Sequence, residues 1–205
     1  MQKLPALPET TDELCAVARR LGVPESEIWL GKRATERNIK EMSEQGRLAS
    51  YRIVHFATHG LIAGELKGLA EPALVLTPPA EANDTDDGLL TASEVAQLKL
   101  NADWIVLSAC NTAAAGPQGA EALSGLARAF FYAGARALLV SHWPVNSDAA
   151  IRLTTKAFAE LRADPKIGRA EAMRRSMLDV ITRGTDQEVH PAYWAPFVVV
   201  GEGGG

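Results

Sequence analysis

Four histidines and two cysteines stand in this 205-residue chain, and three of the six come close behind short hydrophobic runs. Thr58-His59-Gly60 follows residues 53–57, Ser108-Ala109-Cys110 follows residues 104–107, and Ser141-His142-Trp143 follows residues 137–140. A cysteine becomes a nucleophile when it has thiolate character, which a nearby imidazole supplies by taking the proton or stabilising the anion. The same ring can then protonate a departing amine. His59 and Cys110 are therefore the pair on which covalent acyl transfer could rest. Gly60 lets the backbone approach a substrate closely, and its N–H could join that of Cys110 in an oxyanion hole. A glycine that only makes a tight turn fits the sequence equally well. His142 either lines the same cleft or is a satisfied structural histidine. A zinc site of His59, Cys110 and His142 has acceptable ligand types, but no close-spaced pair supports it. His55 falls inside a strand and reads as a core or supporting histidine, and Cys15 as a small buried residue on a helix.

These clusters need a scaffold that brings strand ends together. Apolar runs alternate with helical patterns along the chain, the mark of βαβ units and a mainly parallel sheet with helices on both faces. Strands are expected at residues 53–57, 73–76, 104–107, 137–140 and 197–200. Helices are expected from about Thr10 to Gly22, 35 to 45, 91 to 98, 121 to 133, 148 to 162 and 169 to 181. Thr10-Thr11-Asp12-Glu13 and Thr91-Ala92-Ser93-Glu94 both read as capping boxes. In such a sheet the loops leaving the carboxyl ends of parallel strands converge, and sites assemble there.

Composition narrows the class. A net charge of −4 with no basic stripe argues against direct nucleic-acid binding. No apolar run reaches the ~18 residues of a membrane span, and residues 1–10 lack the apolar stretch of a signal peptide. Two cysteines are too few for a disulfide framework. A cytoplasmic protein with free thiols is the expectation, and thiol chemistry of this kind needs no metal or organic cofactor. Residues 60–100 hold seven acids against two lysines, either an acidic rim that would favour a cationic group or a solvated loop. Asp148 is the acid best placed to reach a pocket, and serves equally as an N-terminal residue of the next helix.

Several blocks together resemble the CHAT domain family. They are Val54-His55-Phe56-Ala57-Thr58-His59-Gly60, Asp87-Gly88-Leu89-Leu90-Thr91-Ala92-Ser93-Glu94-Val95 and Leu107-Ser108-Ala109-Cys110-Asn111-Thr112. Gly125-Leu126-Ala127-Arg128-Ala129-Phe130, Ala133-Gly134-Ala135-Arg136, Trp143-Pro144-Val145 and the block from His190 to Phe197 follow in family order. The resemblance covers about residues 7–202 and implies a caspase-like three-layer α/β sandwich. It also implies a cysteine endopeptidase with a His–Cys dyad, distantly similar to separases and caspases. Carried over by position, His59 is the general base and acid and Cys110 the nucleophile. Their separation of 51 residues is close to the roughly 50 of caspases. Active relatives often prefer a basic residue before the cut, which here assigns a substrate pocket to Asp148 with Glu71. Where members carry an acid four residues after the tryptophan this chain has Ser147, and Ala113 stands where many have glycine. The whole of residues 1–205 reads as a single domain without the family's usual upstream strand and proline-rich block. A peptide or protein is the expected substrate, and a tetratricopeptide-repeat region or partner chain the expected associate. The alternative is a latent interaction or regulatory module on the same fold.

Overall fold

Every residue of the strands at 104–107 and 137–141 is buried, as strands covered on both faces must be. The computed structural model describes residues 4–83, 85–108, 117–141 and 147–204. Its strands are β1 (Ile53–Phe56), β2 (Gly60–Leu61), β3 (Ala73–Val75), β4 (Leu89–Thr91), β5 (Trp104–Leu107), β6 (Ala137–Ser141) and β7 (Phe197–Gly201). The α-helices are α1 (Glu9–Leu21), α2 (Glu36–Glu44), α3 (Ala92–Val95), α4 (Pro117–Tyr132), α5 (Ser147–Ala163), α6 (Arg169–Arg183) and α7 (Pro191–Trp194). The main sheet runs β1-β5-β6-β7, with the first three strands parallel and β7 antiparallel to β6. A second sheet, β2-β3-β4, is antiparallel throughout.

Side chains alternate across the pleat, so each central strand feeds two cores. Trp104 and Val106 of β5 and Ala137 and Leu139 of β6 meet Val17 of α1, Phe158 of α5 and Met173 of α6. Ile105, Leu107, Leu138 and Val140 meet Phe56, Met42 of α2, Val95 of α3 and Phe130 of α4. One aromatic pair braces each layer: Trp104 against Phe158 at 5.1 Å between ring centres, and Phe56 against Phe130 at 5.7 Å. The result is the three-layer α/β sandwich that the sequence pattern and the resemblance imply.

The alternation assigns His55 its surroundings. Ile53 and His55 share a parity, and Ile53 packs in the α1–α5–α6 layer. Ser108, two residues beyond Val106, has that same parity. The side chains of His55 and Ser108 therefore point to the face that α1 covers.

Two expectations need correction. No capping box forms at Thr10. Helix α1 begins at Glu9 behind Pro8, without a side-chain cap, and the Thr10 hydroxyl donates to the Leu7 carbonyl at 2.7 Å. Glu13 cannot reach back to a cap because its carboxylate is buried beside His55. Gly60 is the first residue of β2, a strand of two residues too short for periodicity to reveal. The second capping box is present, with Thr91 and Glu94 bonding reciprocally.

The acidic segment is a built loop. Lys40 of α2 donates to Glu36 at 2.5 Å, to Glu94 at 2.7 Å and to the Thr85 carbonyl at 2.8 Å. Glu36 also accepts the backbone N–H groups of Asp87 and Gly88 at 2.9 and 3.0 Å. Arg37 pairs with Asp86 at 3.2 Å. Gly88 has φ of +86°, and a Cβ there would stand 2.8 Å from the Cα of Pro78, so no other residue fits this turn. Much of the local negative charge is thus spent on closing this loop against α2 and α3.

Candidate active site

Parallel pairing puts the ends of β1 and β5 side by side. Phe56 lies opposite Leu107, and the Ser108 N–H continues the ladder to the Phe56 carbonyl at 3.1 Å. His59 follows the end of β1 by three residues, and Cys110 follows the end of β5 by three residues. The chain segments carrying these two residues therefore leave adjacent strands at the same edge of the sheet. Cys110 and His142 themselves lie outside the described residues.

His59 is held from two sides. The Val75 N–H donates to its carbonyl at 2.8 Å, and the Thr58 hydroxyl donates to the Val75 carbonyl, so β3 fixes the main chain just beyond β1. Its ring is fixed from the other side, where Nε2 stands 2.8 Å from the carbonyl oxygen of Pro5. A carbonyl only accepts, so Nε2 carries the proton, and in the neutral ring Nδ1 keeps its lone pair.

The Gly60 amide is not used by its sheet partner. Because Val75 donates to the His59 carbonyl, the Gly60–Leu74 pair is of the type without mutual hydrogen bonds. The tight-turn reading of Gly60 does not apply, since the residue is extended in β2.

The two expected pocket acids are placed differently. Asp148 is exposed in the first turn of α5. The Glu71 carboxylate accepts the N–H of Ser93 at 2.9 Å and its hydroxyl at 2.8 Å, at the start of α3. Cys15 on α1 is half-buried with a free thiol.

Sequence reasoning left out a buried polar cluster directly beneath the β1 and β5 ends. His55 Nε2 lies 2.6 Å from Ser108 Oγ and 3.0 Å from Glu13 Oε1. The Glu13 and His55 side chains are 3% and 7% exposed. Glu13 Oε1 and His55 Nδ1 have no hydrogen-bond partner. The one available signal was the position of Glu13 four residues before Val17, on the apolar stripe of α1 where an acid is out of place.

Among the described residues no group of three His, Cys, Asp or Glu side chains is arranged to hold a metal ion. The zinc alternative rests partly on Cys110 and His142, outside that set. No described helix is long and apolar enough to cross a membrane.

Comparison with known proteins agrees with the strand-end blocks. Tetratricopeptide repeat protein 28 of Mus musculus is 29% identical over 234 aligned positions, covering 95% of this chain and 8% of that protein. Its Homo sapiens counterpart is 28% identical over the same span. The chain thus spans about 8% of the length of the curated relatives it matches. The sequence model of the CHAT domain matches residues 2–202, nearly the whole chain and every block named above, and the chain belongs to the CHAT domain family.

Proposed function

We propose that this domain is a cysteine endopeptidase in which His59 and Cys110 form the dyad. The observation that carries the reading is the state of His59 at the shared edge of β1 and β5. Its Nε2 proton is committed to the Pro5 carbonyl, so the basic Nδ1 is the atom left to receive a thiol proton. Family membership and the peptidase chemistry linked to this fold support it.

In this reading Nδ1 of His59 takes the Cys110 proton and the thiolate attacks the scissile carbonyl. The amides of Gly60 and Cys110 hold the oxyanion, and a Gly60 N–H that its strand partner does not use is consistent with that role. Collapse of the tetrahedral species breaks the C–N bond, leaving a thioester on Cys110, while the imidazolium returns its proton to the departing amine. Water then attacks the thioester, His59 takes its proton, and release of the acid restores the thiol. Asp148, exposed at the head of α5, reads a basic side chain before the cut. Glu71 assists only if a substrate draws it away from Ser93. The reaction needs no cofactor, and a cytoplasmic setting keeps Cys110 reduced.

The name of the relatives, tetratricopeptide repeat protein 28, favours a second element: a tetratricopeptide-repeat region, in the same chain or a partner, acts with this domain. A latent module that only binds such a partner is the competing function.

Hydrolysis of fluorogenic peptides with basic, acidic or apolar residues before the cut tests the proposal. Cleavage that is strongest on basic peptides, disappears in Cys110→Ala and loses its basic preference in Asp148→Asn is the expected result. No cleavage of any peptide, with or without an attached repeat region, would favour the binding module.

A further inference from the structure

We infer that Glu13, His55 and Ser108 form a positioning relay that sets the reactive geometry of Cys110, an inference that rests on the dyad proposed above. None of the three is a catalytic residue. Their effect is transmitted through the exit of β5.

Ser108 is bound twice. Its N–H continues the ladder to Phe56, and its hydroxyl meets Nε2 of His55 at 2.6 Å, so the residue that leaves β5 is tied to β1 by main chain and side chain together. Cys110 is two residues further on. Glu13 Oε1 of α1 stands 3.0 Å from the same His55 nitrogen, an ion-pair distance without hydrogen-bond geometry, and sets the charge that the His55 ring faces. The adjoining lead-in to α1 supplies Pro5, whose carbonyl orients the His59 ring. Residues 5–13 therefore hold the carriers of both members of the dyad, one directly and one through His55 and Ser108.

Asp86 Oδ1 and Trp104 Nε1 are buried without hydrogen bonds as well, so what singles this cluster out is its tie through His55 to Ser108 at the exit of β5. Leaving Glu13 Oε1 and His55 Nδ1 buried without hydrogen bonds costs stability that apolar residues of similar volume would recover. Polar groups kept in such a position are explained when they orient something that follows, and Cys110 comes two residues after Ser108 in the chain. Small displacements matter there, because an error of about 1 Å in the reacting geometry costs about a hundredfold in rate.

The test is the alkylation rate of Cys110 by iodoacetamide across pH 5–9, in the full chain carrying Cys15→Ser so that one thiol reports. In that parent Cys110 is expected to react faster than a free cysteine at pH 6–7, where an ordinary thiol is mostly protonated. Glu13→Gln and Ser108→Ala are each expected to slow it by about tenfold, with circular dichroism unchanged. His55→Gln, whose amide nitrogen can stand where Nε2 stood, should retain most of the rate, and His55→Leu should not. Ser108→Ala removes one oxygen only, so it remains informative if a Glu13 or His55 variant fails to fold. Fast parent alkylation that Ser108→Ala and Glu13→Gln leave unchanged would overturn the relay and leave the dyad standing. A parent that reacts like a free cysteine would overturn the dyad itself, and the relay with it.

Discussion

Two carboxylates are buried almost equally in this domain, Glu36 at 1% exposure and Glu13 at 3%, yet their surroundings could hardly differ more. Glu36 accepts an ammonium and two backbone N–H groups, and so closes the loop ahead of β4. Burial still pushes its carboxyl above the ordinary range, against the opposing pull of Lys40 and the two amides. Among the described residues Glu13 faces one imidazole, with Oε1 at 3.0 Å from His55 Nε2 but without hydrogen-bond geometry. A fully partnered acid is what stability alone requires. An incompletely partnered one, beneath the strand ends that lead to the proposed dyad, is consistent with a functional constraint. The comparison predicts that disturbing Glu36 changes stability and not reactivity, and that disturbing the Glu13 side changes reactivity more than stability.

The largest effect lies just above the Glu13 cluster. His59→Ala should lower Cys110-dependent hydrolysis by about 10² to 10⁴, the range for loss of a general acid–base, with the unfolding temperature almost unchanged. Kinetics and calorimetry on one preparation measure both, and equal losses of rate and stability would erase the distinction between the two regions.

On the other side, Lys40→Met leaves Glu36 with a buried charge and no cation. A loss of about 3 kcal/mol is expected, or about 6–12 °C in unfolding temperature for a domain of this size. Cys110 alkylation in the folded fraction should keep the parent rate. A Lys40→Met protein as stable as the parent would show that the loop does not depend on the clamp.

The sharpest contrast comes from the same substitution made twice. Glu36→Leu strands the Asp87 and Gly88 amides and takes one of two carboxylates from Lys40, and should destabilise by about 2–3 kcal/mol. Glu13→Leu removes an acid with one polar neighbour among the described residues and should change stability by no more than about 1 kcal/mol in either direction. Matching losses on chemical denaturation would mean that Glu13 is as structural as Glu36.

The smallest effect is a pH-dependent one, on the α5–α6 side. Glu188 accepts the Thr185 N–H and pairs with Arg152 at 2.7 Å, which lowers its carboxyl from the ordinary 4.5 to about 2. A depressed folded-state value means stability that is present above pH 4.5 and lost as pH falls through that window toward 2. The unfolding temperature of Glu188→Gln should therefore lie slightly below that of the parent at pH 6, the gap closing between pH 4.5 and 2. A gap that persisted at pH 2 would assign the effect to something other than the ionised carboxylate.

How far the sequence could be read follows the range of each interaction. The central strands were legible because both-face burial writes continuous apolar runs at 104–107 and 137–140. His59 and Gly60 were legible because they sit at such a run's end. β2 and β4 were not, since strands of two and three residues exist only by pairing with β3. Glu13 was misread because Thr10-Thr11-Asp12-Glu13 satisfies a local capping pattern, and a contact to His55, 42 residues away, outweighs it. The acids at 60–100 looked like an open rim because Lys40, which takes up Glu94 and the Thr85 carbonyl, lies on an earlier helix. The Pro5 contact to His59 spans 54 residues and uses a backbone oxygen, for which no side-chain pattern exists.

The central claim is that Cys110, activated by His59, attacks a peptide carbonyl, and covalent capture tests it most directly. The chain is incubated with a peptide chloromethyl ketone carrying arginine at the reactive position, then weighed intact and mapped by peptide mass spectrometry. One adduct per chain on Cys110, none on Cys15, and none at all in His59→Ala is the predicted result. No adduct, or equal modification of Cys15 and Cys110 independent of His59, would contradict it.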